Sequence, residues 1–237
     1  MIKLRLYRAI DDPDSCHKFI IGHTHVLENI GVTKLSSANN EWMFNPNVYV
    51  IIVEDMDDGR VLGGARVHIA TKDHRLPIES ATNYLDPKVV DVINSHIPEG
   101  TGEICGLWNS REVAGLGIGA VFLTRAAVTI STQLGLKSLF ALCAPYTVSL
   151  AQNLGYEIET AVGNNGTFYY PKLDLVATFM ILNDVATLSG ASTEEFDAIM
   201  QLRANPITER IENYRKREVK LQYHLVLEKF ESIDSAS

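Results

Sequence analysis

Three glycines spaced by two, Gly115, Gly117 and Gly119, stand in the run Ala114-Gly115-Leu116-Gly117-Ile118-Gly119, just ahead of an apolar helical segment. Glycines at such a turn let backbone approach a phosphate, and the first N–H groups of a helix have no partner inside it, so the run can hold a pyrophosphate. Close packing of a strand-to-helix turn uses the same residues, and spacing alone leaves both readings open. A dinucleotide site would need Gly-x-Gly-x-x-Gly after an early strand and an acidic residue about 20 positions on, where Gln133 stands here. The Gly-Lys-Ser/Thr end of a nucleoside triphosphate loop is also missing. Arg66 emerges from an apolar strand and can clamp a carboxylate or close an internal ion pair. Cys105 and Cys143 flank the glycine run with no histidine near either in sequence, so they read as small core residues rather than nucleophiles. The seven histidines show no metal-ligand spacing, and no metal is expected; His23, on an apolar helical stripe, reads as a core residue.

The elements that must position these residues can be read from periodicity. Ile2, Leu4 and Leu6 alternate as a strand, and Asp12-Pro13 opens a helix that Gly31 closes. Segments 48–53 and 61–69 flank Asp57-Asp58-Gly59 as a hairpin, and Asp86-Pro87 starts a short amphipathic helix. A strand at 103–108, a helix at 115–134, a strand at 139–142, a helix at 148–154 and strands at 156–161 and 173–182 complete a mixed α/β domain over 1–185. The remainder, 186–237, reads as an extension of helix, helix and strand packed on that domain. Ser192 with Glu195 starts its first helix, Thr208 its second, and 219–227 alternate as a strand. Arg210, Arg215, Lys216 and Arg217 read as a solvated helix end.

Composition narrows the partners. A chain of 237 residues with 46% apolar and 21% charged residues can bury a full core, which argues against disorder. A net charge of −8 argues against a duplex nucleic-acid partner, which needs surplus cations. Three scattered cysteines without CxxC spacing fit a reducing, cytoplasmic setting, and no signal segment or membrane span is expected.

The order of these elements resembles the core of the GCN5-related N-acetyltransferase superfamily. The quoted residues are the strand from Glu103 to Trp108, the glycine run, the strand Leu139-Phe140-Ala141-Leu142 and the later Leu154-Gly155-Tyr156. The resemblance covers about residues 45–182 and implies an acyl-CoA N-acyltransferase fold, α/β with a mixed, largely antiparallel central sheet flanked by helices. It implies a donor, acetyl-CoA or a longer acyl-CoA, whose pantetheine pairs with the backbone of Leu107 and Trp108. The pyrophosphate would lie on Ala114, Gly115, Leu116, Gly117, Ile118 and Gly119, with Ala114 replacing the usual Arg or Gln. Ala144 and Ala151 stand where the superfamily often has an Asn and a proton-donating Tyr.

A second likeness is to the acyl-homoserine lactone and N-acyl amino acid synthase branch. It rests on Gly63-Gly64-Ala65-Arg66, Leu76-Pro77-Ile78-Glu79 and Glu103-Ile104-Cys105-Gly106-Leu107, with Gly106 in place of that branch's Arg. The acceptor implied is the amine of a small molecule. Acyl transfer to an amine needs a base, for which Glu103 is the first candidate and Glu79 the second. Tyr146 can replace the missing acid, and Arg66, Trp42 and Phe44 would face the acceptor. Each has a plain alternative: solvent charge, ion pair or core aromatic. Three functions follow: a CoA-dependent N-acyltransferase, a long-chain synthase fed by acyl carrier protein, or a silent acyl-CoA sensor. A homodimer is compatible with each.

Overall fold

The computed structural model describes residues 1–29, 31, 40–115, 118–171, 174–214 and 217–227. Alternating apolar residues build β1 (Ile2–Arg8), and near-continuous buried runs build β2 (Val48–Asp55), β3 (Val61–Ile69) and β4 (Thr101–Asn109). Beyond these come β5 (Ser138–Cys143), β6 (Glu157–Ile158), β7 (Thr167–Tyr169) and β8 (Val176–Leu182), then β9 (Ile207–Tyr214) and β10 (Arg217–His224). They form one sheet in the order β6-β8-β5-β4-β3-β2-β1-β10-β9, with β7 on β8. The pairs β4–β5 and β1–β10 are parallel and the rest antiparallel, so the sheet is mixed and largely antiparallel as expected.

Helices cover both faces. The helix α1 (Pro13–Asn29) packs on β3 and β4, where Gly22 lets it press against Trp108; a Cβ there would come within 2.1 Å of the indole. The short α2 (Pro77–Thr82) and α3 (Lys88–His96) continue this layer over Phe140 and Phe179. After α4 (Arg111–Gly115), the helix α5 (Ala120–Ser131) covers the opposite face of β2, β3 and β4, and α6 (Pro145–Asn153) lies against β5 and β8. The helix expected over 115–134 is therefore shorter. Gly119 is extended (φ −86°, ψ 168°) and caps α5, which starts at Ala120. No helix among the described residues is long and apolar enough to cross a membrane.

The extension departs from expectation in one element. Its first helix is present as α7 (Thr193–Ala204), capped by Ser192 Oγ accepting from Glu195 N, but the second helix is the strand β9. Thr208 read as a cap because a hydroxyl before a charged run suits a helix start. The β-branched residues Ile207, Thr208 and Ile211 favour extended backbone, and full antiparallel pairing with β10 decides for a strand. Since β10 joins β1, the extension lengthens the sheet itself. The arginine and lysine at 215–216 lie outside the described residues, and Arg210 pairs with Glu212 at 3.4 Å.

A buried cation fastens the extension. Arg125 on α5 donates from Nε and Nη2 to the two oxygens of Glu195 on α7, both at 2.9 Å, and from Nη1 to Glu212 on β9 at 3.2 Å. Tyr223 Oη on β10 donates to the same Glu212 at 3.0 Å. Removing one partner of such a set leaves uncompensated buried charge. Arg125→Met should therefore lower unfolding free energy by roughly 3–5 kcal/mol in urea titration, and a loss below about 1 kcal/mol would show that water compensates the two carboxylates.

Candidate functional site

The strands β4 and β5 pair only at Thr101↔Ser138, Gly102↔Leu139 and Glu103↔Phe140. Beyond Glu103 they part: β4 follows β3 to Asn109 while β5 follows β8 to Cys143. A bulge reinforces the divergence. Cys105 opposes Arg66 and Trp108 opposes Gly64, so Gly106 and Leu107 together face Ala65, and Gly106 takes φ +58°. A wedge-shaped cavity of about 970 Å³ opens between the strands, walled by the free edge of β4 on one side and by β5, α6 and Tyr156 on the other. The start of α5 reaches this cavity through Ala120 and Thr124.

Glu103 sits where the strands separate. Its side chain is 2% exposed, and Oε2 accepts from Ile78 N, in the first turn of α2, at 2.8 Å. Burial pushes its pKa up to about 8, and nearby Glu79 adds to that. The Ile78 N–H and Arg66 act against it. Glu79 shares the same helix start: its Oε2 accepts from Leu76 N at 2.7 Å, and burial raises its pKa too. It caps α2 beside Glu103 and does not line the cavity.

The other expected site residues fall into three places. Leu107 and Trp108 line the cavity, and Tyr146 stands at its mouth in the first turn of α6, 82% exposed. Ala114 and Gly115 end α4, Ile118 is buried, Gly119 caps α5, and Leu116 and Gly117 lie outside the described residues. Arg66 and Trp42 are elsewhere than the acceptor wall: both are buried, with the guanidinium 4.4 Å from the Trp42 ring centre and 5.6 Å from that of Phe19. The guanidinium fills the space beside Gly106, where a Cβ would come within 2.8 Å of Nε and Nη2. Phe44 is 75% exposed and off the cavity.

Three features carry no signal in the sequence. His23 lines the cavity, and burial with Arg66 nearby holds its pKa down at about 4, leaving it neutral. The thiols of Cys105 and Cys143 also line it, pushed up by burial to about 12 and about 11, so neither is a thiolate. Tyr156, quoted in the sequence only as the end of Leu154-Gly155-Tyr156, lines the cavity with its hydroxyl buried and unpartnered among the described residues. The sequence shows an aromatic after Gly155; only the meeting of β4, β5 and α6 shows where its hydroxyl ends.

No protein-family model matches this chain, and no curated protein matches it. Solved structures do. FeeM, an N-acyl amino acid synthase from uncultured soil microbes, aligns with a TM-score of 0.61 at 13% identity over 83% of this chain and 98% of that one. The CoA-dependent acyl-homoserine lactone synthase BjaI, solved with SAM and isopentyl-CoA, aligns at 0.54 and 12% over 87% and 90%. Escherichia coli ElaA aligns at 0.54 and 10% over 76% and 99%. These likenesses establish the fold, that of the GCN5-related N-acetyltransferases and of the lactone and N-acyl amino acid synthase branch.

The position of Glu103 gives a signed pH effect. Its folded pKa of about 8 lies above the ordinary 4.5, so the folded chain keeps a proton that the unfolded chain has lost. That contribution is full below pH 4.5 and is lost as pH rises to about 8. Glu103→Gln, which keeps an acceptor for Ile78 N, should gain stability over the wild type by a few kcal/mol between pH 5 and 8.5 on the order expected from such a shift. Glu79→Gln should move the midpoint of the wild-type loss to lower pH. Parallel stability curves for wild type and Glu103→Gln would show that Glu103 titrates normally.

Proposed function

We propose that this protein is an N-acyltransferase that moves an acyl group from an acyl-coenzyme A thioester to the amine of a small molecule. The observation that carries this reading is the β4 edge beyond Glu103. It has no strand partner among the described residues, borders a deep apolar cavity and has a buried carboxylate at its base. A pantetheine arm carries amides that can take the place of a neighbouring strand along Leu107 and Trp108. The first N–H groups of α5, with the glycine run before them, would meet the pyrophosphate.

The chemistry follows from the groups at hand. The amine nitrogen bonds to the thioester carbon, the C–S bond breaks with its electron pair on sulfur, and the amine loses a proton to Glu103, directly or through one water. A base whose pKa is about 8 is half ionised at pH 8 and about one-tenth ionised at pH 7, so it accepts a proton without being a permanent buried charge. Arg66 and Trp42 act from beneath the bulge as positioning groups, Glu79 tunes Glu103, and Tyr146 lies at the mouth, where an acceptor would enter. The cavity is larger than an acetyl group requires, which favours medium or long acyl chains.

A second donor is favoured by one observation. Among the described residues lining the cavity none is lysine or arginine, and Ala114 stands in the glycine run where a cation would help bind coenzyme A phosphates. A phosphopantetheine arm on acyl carrier protein carries a single phosphodiester and needs fewer cations.

Calorimetry with acetyl-, octanoyl- and palmitoyl-coenzyme A separates these readings. Micromolar binding that strengthens with chain length is expected, and a flat trace for all three with folded protein removes the coenzyme A reading. With an acceptor found from a panel of amino acids and amines, Glu103→Gln should lower turnover by roughly 10²–10⁴ while donor affinity stays within about twofold. Gly117→Glu should abolish donor binding by adding like charge and bulk at the phosphate site. Turnover by Glu103→Gln near wild type would assign the carboxylate a structural role.

A further inference from the structure

We propose that this chain forms a homodimer in which the β9 strands of two copies pair antiparallel and join the two sheets about a two-fold axis at Ile211. The inference is independent of the acyltransferase reading, because β9 closes the end of the sheet away from the cavity. The two ends of the sheet are built differently. At one lie β6 and β7, of two and three residues, which offer a partner little backbone. At the other is β9, whose eight residues pair with β10 without a register shift, and no strand covers its outer side among the described residues. Proteins blunt such edges with proline, bulges or unpaired charge. Residues 207–214 contain no proline, and the ladder has no bulge. Their charges are already paired within the chain: Glu209 with Lys220 at 2.6 Å, Glu212 with Arg125 at 3.2 Å and Arg210 with Glu212 at 3.4 Å.

The hydrogen bonds show which groups are free. Leu225 N donates to Pro206 O at 2.9 Å and continues the β9–β10 ladder, so residue 206 and the even positions after it bond toward β10. Ile207, Glu209, Ile211 and Asn213 therefore turn their N–H and C=O outward. Ile207 and Ile211 are 62% and 61% exposed, whereas Arg210 and Glu212 face the helices, where Arg210 donates to Ala198 O at 3.4 Å. Charge then selects the register. Opposed residues of an antiparallel pair share a face, so the axis of two identical strands passes through one residue position. At Ile211 it sets the exposed isoleucines against each other, Arg210 of each copy opposite Glu212 of the other, and Glu209 opposite Asn213. At Glu209, Arg210 or Glu212 it would set like charges directly opposite, which destabilises the pair.

Sedimentation velocity at rising protein concentration is the test. One strand pair is smaller than a standard interface, so the wild type should pass from one chain mass to two in the micromolar range. Ile211→Lys, which opposes two ammonium groups at the axis, should remain monomeric throughout. Ile211→Pro should do the same, because it removes an outward N–H that the β10 ladder does not use, and edge strands tolerate proline there. Ile211→Val, still β-branched and apolar, should dimerise as the wild type does. Circular dichroism checks that each variant is folded, and if Ile211→Pro is not, Ile211→Lys decides. A wild type that is monomeric at every concentration overturns the proposal, and so does a dimer that survives either substitution in a folded variant.

Discussion

Everything at the site depends on where β4 stops pairing with β5. Two parallel strands that stayed together would close the sheet and leave no cavity. Here the ladder ends at Glu103↔Phe140, and the extra residue at Gly106-Leu107 bends β4 away. The constraint at Gly106 is double. Its backbone requires the left-handed region, and the Arg66 guanidinium occupies the volume a side chain would need. A buried arginine thus holds open the gap from below, seated on the Trp42 and Phe19 rings, and its charge opposes the burial that keeps Glu103 protonated.

From this break the remaining geometry follows. The unpaired edge of β4 supplies backbone groups to the cavity, α5 begins where β4 and its following loop turn back, and α2 aims its first N–H groups at the paired carboxylates. Burial that is costly to charge is also what suits Glu103 to the proposed role of base, since an exposed glutamate would be ionised and weakly basic at neutral pH. The extension is far from this chemistry, yet Arg125 ties it to α5, whose first turn opens on the cavity.

Much of this was legible in the sequence. Alternation, apolar runs and turn residues placed eight of the ten strands among the described residues, β1–β6, β8 and β10, and Glu103 stood out as a carboxylate on an apolar strand beside a glycine run. The missed elements have physical reasons. The strand β9 begins with a hydroxyl and charges that also suit a helix, and only its pairing with β10 decides. The three-residue β7 is too short for a period to show. Leu76-Pro77-Ile78-Glu79 had no element assigned to it in the sequence, and it starts a helix whose N–H groups bind both carboxylates. Arg66, Trp42 and Tyr156 depended on which face of a strand or turn meets the gap. A one-residue bulge changes that, and sequence periodicity does not report it.

The central claim is that the free edge of β4 receives the donor as a strand would. Amide hydrogen exchange with and without a bound acyl-coenzyme A measures this directly. Residues 104–109, with the first turn of α5, should gain protection on binding, while β9 and β10 stay unchanged. Protection confined to other surfaces, with residues 104–109 exchanging as in the free protein, would contradict the account.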